Sequence, residues 1–471
     1  MKKSIVLPIL MLTATPIGGK VAAQPRLDQT ATGDCSRLLF RDPLKRGGAE
    51  TALDGCNADP LDIPQADDRI DSALSAVNLR AASGTDITSA LAAAIATNPG
   101  KRISLSAGIF LVTAPINVTT AGTTLSGAGQ EQTILRFIGA ATPSGAIRFG
   151  PADPATGEYL EGVGLEHIAL ERYAGDASSK GLMLEQVLRS RIHDVRIKDF
   201  FIQIDMAGVS NVKISEYFSF FGSFVSNAET VTGSRAMIVR AGYNASGVAS
   251  RQDSYGIYVT NSSFVGMGDG LPRQETSIEL RAADGFYMSG PNYVGQAVNL
   301  FDINPENNAT YNANVTITGA FFDGAAYQSN NGFRILTNSS ALTAGVANIA
   351  LAGVNFATFR ERAIDLQAGD YRNVTLSGST VVGGRLQCLR INGVRGVAIT
   401  GNAFLECGTA GNASTGAWRY GSSASPIVLG MNSIAATARG AMDVIADGTP
   451  AHIQQLGNST DRSTAIPVVN R

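Results

Sequence analysis

At 471 residues the chain is too long for one ordinary globular core, and two or three domains would be the default expectation. Its formal net charge of −2 excludes a broad electrostatic attraction to nucleic acid or to an anionic membrane surface. Only 16% of residues are charged while 52 are glycine, which argues against long surface helices and for short strands joined by tight turns.

In chain order, Lys2 and Lys3 precede an apolar run from Ile5 to Ile17, and Val21-Ala-Ala23 offers the small residues of a cleavage site. Residues 1–23 therefore read as a secretory signal peptide; the run is too short and too proline-broken for a membrane anchor. Cleavage removes Lys2, Lys3 and Lys20 and no acid, moving the formal charge from −2 to −5, and leaves no membrane span. The expected location is periplasmic or secreted from a bacterium. Cys35, Cys56, Cys388 and Cys407 are an even number in an exported chain, so disulfides are expected, with Cys35–Cys56 and Cys388–Cys407 as the economical pairing of three connectivities.

Residues 24–80 show weak periodicity and much Asp, Pro and Arg, and read as an irregular arm. A helix follows over Asp86-Ile-Thr-Ser-Ala-Leu-Ala-Ala-Ala-Ile-Ala96. Asp86 is its N-cap, Ile87, Leu91 and Ile95 share one face, and Asn98-Pro-Gly100 stops it. From Lys101 the pattern switches to period two, in short strands such as Ile103-Ser-Leu105, Ile109-Phe-Leu-Val112 and Ile116-Asn-Val118.

A phrase then recurs: Asn314-Val-Thr-Ile-Thr-Gly319, Asn348-Ile-Ala-Leu-Ala-Gly353, Asn373-Val-Thr-Leu-Ser-Gly378 and Gly396-Val-Ala-Ile-Thr-Gly401. Its glycines are 34, 25 and 23 residues apart, the signature of a solenoid with unequal loops. A solenoid grows lengthwise, which removes the multi-domain expectation. Asn at the head of the phrase tolerates the left-handed conformation of a tight turn and offers an amide to the next copy. Residues 81–410 are thus expected as a parallel β-helix with a helical N-terminal cap, and 411–471 as a closing segment.

The motifs Ser89-Ala-Leu-Ala-Ala-Ala-Ile95, Leu105-Ser-Ala-Gly-Ile-Phe-Leu111, Thr123-Thr-Leu-Ser-Gly-Ala-Gly129 and Thr133-Ile-Leu-Arg-Phe137 resemble the opening of the pectate lyase-like superfamily. That resemblance implies an all-β, right-handed, single-stranded parallel β-helix, as in secreted polysaccharide-active enzymes and tailspike-like proteins. It does not select among lyases, hydrolases, epimerases and binding modules. The Arg196-Ile-Lys198 triplet resembles a polygalacturonase element, but the paired aspartates that should precede it are missing, and Arg196 reads as a solvated strand residue. His167 reads as occupying the turn position where other copies have Asn.

Six strands, read in register, each carry one outward residue between two apolar ones: Tyr258, Glu279, Asp302, Arg334, Asp365 and Arg390. Two chemistries suit such a row. Glu279 and Asp302 could share a proton as glycosidic hydrolysis requires, or Arg334 or Arg390 could neutralise a uronic acid while Tyr258 takes a proton. Glu279, Asp302 and Arg334 are the catalytic candidates, with Tyr258, Asp365 and Arg390 binding substrate. The alternative is an alternating-sign ladder that only holds the sheet. Tyr287, Tyr293 and Tyr327 are further candidates for stacking on sugar rings. No motif demands a cofactor or a metal; calcium is an option where Asp253, Asp269 and Glu275 converge. The expected function is an exported enzyme that degrades or modifies a polysaccharide, by lyase or glycosidase chemistry, with a non-catalytic carbohydrate-binding or adhesive module as the alternative. Homo-oligomerisation is an open option.

Overall fold

The computed structural model describes residues 77–470 except 140–143, 173–177, 222–229, 243–252, 267–272, 306–311, 337–345, 368–370, 393, 412–414, 421–426, 436–441, 447–452 and 461–467; before them it describes only two short strands. The chain divides into two compact units, Met1–Ile70 and Asp71–Arg471. In the first unit those two strands, Leu39–Phe40 and Thr51–Ala52, pair antiparallel. The expected signal segment, Cys35 and Cys56 lie outside the described residues. Among the described residues no helix is long and apolar enough to cross a membrane.

The second unit is a parallel β-helix. Every described strand pair within it is parallel, and the pairs fall into three ladders that run the length of the coil. The first runs from Val77–Leu79 through Ser254–Thr260 and Ala283–Ser289 to Ile453–Leu456. The second runs from Gly108–Val112 through Phe218–Phe220 and Tyr293–Gly295 to Ser459–Thr460. The third is a separate sheet of 13 strands from Ile116–Val118 to Val468–Asn470.

Repetition explains the core. Successive copies place Ile103, Leu125, Leu165, Ile192, Ile214, Val259, Met288, Ile317, Leu351, Leu376 and Ile399 directly over one another, and all are buried. Each such side chain contributes roughly 1.5–3 kcal/mol of burial. Phenylalanines stack likewise: the Phe301 and Phe333 rings lie 5.4 Å apart and those of Phe322 and Phe356 5.0 Å apart.

The capping helix spans Thr88–Thr97, with Ile87, Leu91 and Ile95 buried as the spacing requires. Asp86 acts one residue further out than a formal N-cap: its Oδ1 accepts from the Thr88 N–H at 2.9 Å. The Thr88 hydroxyl, and then that backbone bond, hold its carboxyl below the ordinary carboxylate range.

The phrase itself makes two corners. Its Asn heads, Asn314, Asn348 and Asn373, have φ between 55° and 57°. Their amides form a ladder: Asn348 Nδ2 donates to Asn314 Oδ1, and Asn373 Nδ2 to Asn348 Oδ1, each at 3.0 Å. Its glycines make the corner between the first and second ladders, with φ of 67°, 60°, 57° and 67° at Gly319, Gly353, Gly378 and Gly401. His167 (φ 56°) belongs to this second column and not, as expected, to the asparagine column; both corners need the left-handed region, so residue type alone does not separate them. In the segment 411–471, strands from Gly416–Tyr420 to Val468–Asn470 extend all three ladders.

Candidate functional site

Five of the six row residues meet as read. Glu279, Asp302, Arg334, Asp365 and Arg390 are successive Cα partners on the outer face of the third ladder. Tyr258 is not among them: its strand pairs in the first ladder, between Lys213 and Tyr287. The apolar–x–apolar strand pattern is the same in both ladders, so a three-residue window cannot assign the strand to one of them.

The row's carboxylates are also enclosed. Glu279 is 1% exposed and Asp302 and Asp365 are each 2% exposed. Glu279 takes the guanidinium groups of Arg235 and Arg281 and the Asn304 amide at 2.7 Å. Asp302 is held by a two-pronged Arg334 at 2.7 and 2.6 Å, and Asp365 likewise by Arg390. Burial acts to raise Glu279, but the charges of Arg235 and Arg281 outweigh it and the carboxyl sits below its ordinary value. Burial wins at Asp302, which is raised in spite of Arg334. Two neighbouring carboxyls pushed apart in this way fit acid–base work, but in this arrangement neither reaches solvent. The geometry fits the sheet-holding alternative better than the catalytic one.

The accessible chemistry lies on the first ladder. Tyr258 and Tyr287 are vertical neighbours, their rings stacked at 5.1 Å with planes 14° apart, and Tyr258 is 40% exposed. With Asp253, Tyr255, Gly256, Asp284, Gly285 and Asn314 they line a cleft of about 490 Å³. Tyr255 is 44% exposed and is the Cα partner of Asp284. Asn314 Nδ2 donates to Asp284 Oδ1 at 2.8 Å. Gly256 and Gly285, at φ 63° and 88°, form the corner and keep the cleft floor free of side chains. Of these residues the sequence reading named Tyr258, Tyr287, Asp253 and Asn314, but for other groupings. Tyr255 and Asp284 escaped it, although their place directly before the corner is legible once the phrase is aligned.

Below the cleft on the same face, Lys213 and Arg191 precede Tyr258 in the ladder. His193 stands beside them, its Nδ1 3.0 Å from Ser215 Oγ and its ring 5.2 Å from that of His167; burial, then the Arg191 charge, lowers its pKa. His167 Nδ1 is 2.8 Å from Asp194 Oδ2. Arg196 is held rather than freely solvated: it is half-buried on the second ladder, paired with Glu131 and Glu171. On that ladder, too, Tyr293 Oη lies 3.0 Å from Asp323 Oδ2, and burial followed by that carboxylate raises its pKa.

Of the acids expected to gather for calcium, Asp253 lines the cleft, Glu275 is held by Arg235 at 2.9 Å, and Asp269 lies outside the described residues. Among the described residues no group of three or more ligating side chains comes together. Cys388 and Cys407 are bonded to each other.

The class so defined is a parallel β-helix with an aromatic, acidic cleft on its outer face. The same fold is found in the catalytic unit of a GH87 alpha-1,3-glucanase from Streptomyces thermodiastaticus, at 13% identity and TM-score 0.53 over 82% of this chain and 69% of that one. Weaker matches include the A-module of a mannuronan C-5 epimerase from Azotobacter vinelandii (13% identity, TM-score 0.45, 82% and 92% covered). A surface adhesin of Streptococcus pneumoniae also matches (14% identity, TM-score 0.44, 79% and 86% covered). No protein-family model matches the chain, and no curated protein sequence does.

Proposed function

We propose that this chain is an exported polysaccharide-active enzyme that holds its glycan in the Tyr258–Tyr287 cleft. The observation that carries the reading is the parallel pair of tyrosine rings, Tyr258 exposed and Tyr287 half-buried, beside two carboxylates. Flat apolar ring faces with polar rims suit sugar rings, which present axial C–H groups above and hydroxyls at the edge. Asp253 and Asp284 are the carboxylates placed to work on a sugar there. In a hydrolysis one protonates the leaving oxygen while the other activates water or attacks the anomeric carbon. The signal-like N-terminus and the Cys388–Cys407 bond support export. A β-helix likeness to a glucanase supports the fold and leaves the reaction to be assigned by assay.

The test is incubation of the mature protein with a panel of acidic and neutral polysaccharides. New reducing ends without ultraviolet absorbance identify a hydrolase; absorbance of an unsaturated uronide identifies a lyase. Tyr258→Ala should weaken glycan binding roughly tenfold, about 1.4 kcal/mol, with the melting temperature unchanged. Asp284→Asn should abolish turnover. Binding without turnover would favour the adhesive module, and an unaltered Tyr258→Ala would remove this cleft as the site.

A further inference from the structure

One coil below the cleft, the outer column beside the tyrosines brings an imidazole against a hydroxyl. Glu166, His193, Ser215, Thr260 and Ser289 are successive Cα partners in the first ladder. His193 Nδ1 lies 3.0 Å from Ser215 Oγ, and its Nε2 lies 4.0 Å from Glu216 Oε2. The ring is thus bracketed by a hydroxyl on one nitrogen and a carboxylate on the other, the sequence of nucleophile, base and orienting group that acyl transfer requires. Ser215 and His193 are half-buried, and Glu216 is exposed. The charged and titratable groups packed around the His193 ring are Glu166 and His167 on the coil below, Arg191 and Asp194 on its own strand, and Lys213 and Glu216 on the coil above. Asp194 Oδ2 engages His167 Nδ1 at 2.8 Å, which fixes the second ring edge-on to the first.

We propose that Ser215 and His193 form a separate active centre that hydrolyses short acyl esters, with an O-acylated glycan as substrate. Ser215 Oγ adds to the ester carbonyl while His193 Nδ1 takes its proton. The tetrahedral intermediate collapses as that proton passes to the departing sugar hydroxyl. Water, deprotonated by the same nitrogen, then releases the carboxylic acid, and the proton returns to Ser215 Oγ. For this step the proton of the neutral ring sits on Nε2, on the side of Glu216, which is a positioning residue. Lys213, exposed and two residues ahead of Ser215 on the same outer face, is the cation placed to meet the oxyanion. Burial, followed by the Arg191 charge, lowers the His193 pKa and keeps the ring basic near neutrality. An ester suits the arrangement better than an amide: at 4.0 Å the carboxylate is beyond hydrogen-bond distance, and a sugar alcohol leaves more readily than an amine. The exposed charges of Arg191, Lys213 and Glu216 around the pair suit a short acyl group and not a long alkyl chain. Only the choice of a glycan ester rests on the cleft reading above. Ser215 stands one strand spacing and two residues from Tyr258, a diagonal of about 8 Å, so a sugar stacked on the tyrosines brings its substituents to the pair.

The experiment assays the wild-type protein with p-nitrophenyl acetate, which needs no glycan site, and with an O-acetylated polysaccharide, from which free acetate is measured. A fluorophosphonate is then used to label the nucleophile, and the labelled peptide is mapped by mass spectrometry. Both esters should be hydrolysed, and the label should sit on Ser215. Ser215→Ala and His193→Gln should each slow the small ester by about a thousandfold or more with the melting temperature unchanged, and Ser215→Ala should lose the label. Glu216→Gln removes a carboxylate that raises the His193 pKa, so the acid limb of the kcat/KM profile should move to lower pH. An acid limb that stays in place would overturn the role of Glu216. No hydrolysis of the small ester, a label on another residue, or unchanged turnover in Ser215→Ala would each overturn the Ser215–His193 centre while leaving the glycan cleft standing. Hydrolysis of the small ester without release of acetate from the polysaccharide would keep the centre and overturn its assignment to a glycan ester.

Discussion

At the scale of single residues, the third-ladder row separates membership from accessibility. Membership was legible, because strand side chains alternate and Glu279, Asp302, Arg334, Asp365 and Arg390 each stand between two apolar neighbours. Accessibility was not, because the groups that enclose Glu279 come from other positions: Arg235 from the preceding coil, and Arg281 and Asn304 from just beyond strand ends. The two carboxyls should then answer differently to neutralisation. Glu279→Gln leaves Arg235 and Arg281 facing a neutral amide and should cost about 3–5 kcal/mol. Asp302→Asn should cost less, since burial already disfavours its charge. The pH dependence follows. Asp205 is a further third-ladder carboxyl, where burial is outweighed by the charges of Arg240 and Lys180. Glu279 and Asp205 have folded pKa values below their unfolded ones, so their stabilisation is present above the unfolded carboxylate value, about 4, and is lost as pH falls through the folded value. Asp302, raised in the fold, has the opposite sign. Melting temperatures followed downward from about pH 6 should therefore fall for the wild type and fall less steeply for Glu279→Gln. A steeper fall in that variant would contradict the assignment.

At the scale of elements, the corners carry the fold's specificity. The exposed Asn314–Asn348–Asn373 ladder was legible from the phrase. A second amide ladder inside the coil was not: Asn402 N–H donates to Asn432 Oδ1 at 3.1 Å and Asn432 N–H to Asn458 Oδ1 at 3.0 Å, with Asn402 and Asn432 almost fully buried. Asn402 stands in the phrase directly after Gly401, where other copies have Ala320, Val354 and Ser379. A column that changes from apolar to amide along the stack has no fixed residue type to recognise. Its energetics are predictable nonetheless. Asn432→Ala strips partners from the Asn402 N–H and from the Ile399 carbonyl, which Asn432 Nδ2 reaches at 2.8 Å. Each buried orphan costs about 1–3 kcal/mol. Asn348→Gly keeps an easy positive φ and loses only exposed amide bonds, so it should cost less than 1 kcal/mol or so. Denaturant titration of the two variants gives the order; a larger loss at Asn348 would reverse this account of which ladder holds the coil.

At the scale of the whole molecule, the uneven 34-, 25- and 23-residue steps told in advance that the chain is a stack. They did not tell where the stack ends, because the strands after residue 411 keep the period-two pattern while losing the phrase. Ser433-Ile-Ala435 and Ile453–Leu456 are paired in the ladders without an Asn head or a full Val-x-Ile-x-Gly run. Nor did the stack reveal its own site, since the cleft is made by residues that break the repeat, Tyr258 and Tyr287 standing where later coils have Thr316, Ala350 and Thr375.

A stack also dictates how damage spreads. Each coil touches only the coils above and below it, so stability is a sum of local terms and nearest-neighbour interfaces. Ile399 is buried between Leu376 and Leu429 in the first ladder. Ile399→Ala should cost about 2–5 kcal/mol, and that cost should be confined. Hydrogen exchange should accelerate in Tyr371–Ser377, Val394–Thr400 and Ile427–Gly430, and stay at the wild-type rate in Gly164–Arg172 and Ser254–Thr260. The strand of Tyr287 lies four strand spacings from that of Ile399, about 19 Å. Glycan affinity in the cleft should therefore match the wild type while the C-terminal coils exchange faster. Acceleration spread evenly over all coils, with a matching loss of affinity, would mean that the β-helix opens as one cooperative unit and that the cleft depends on the whole stack.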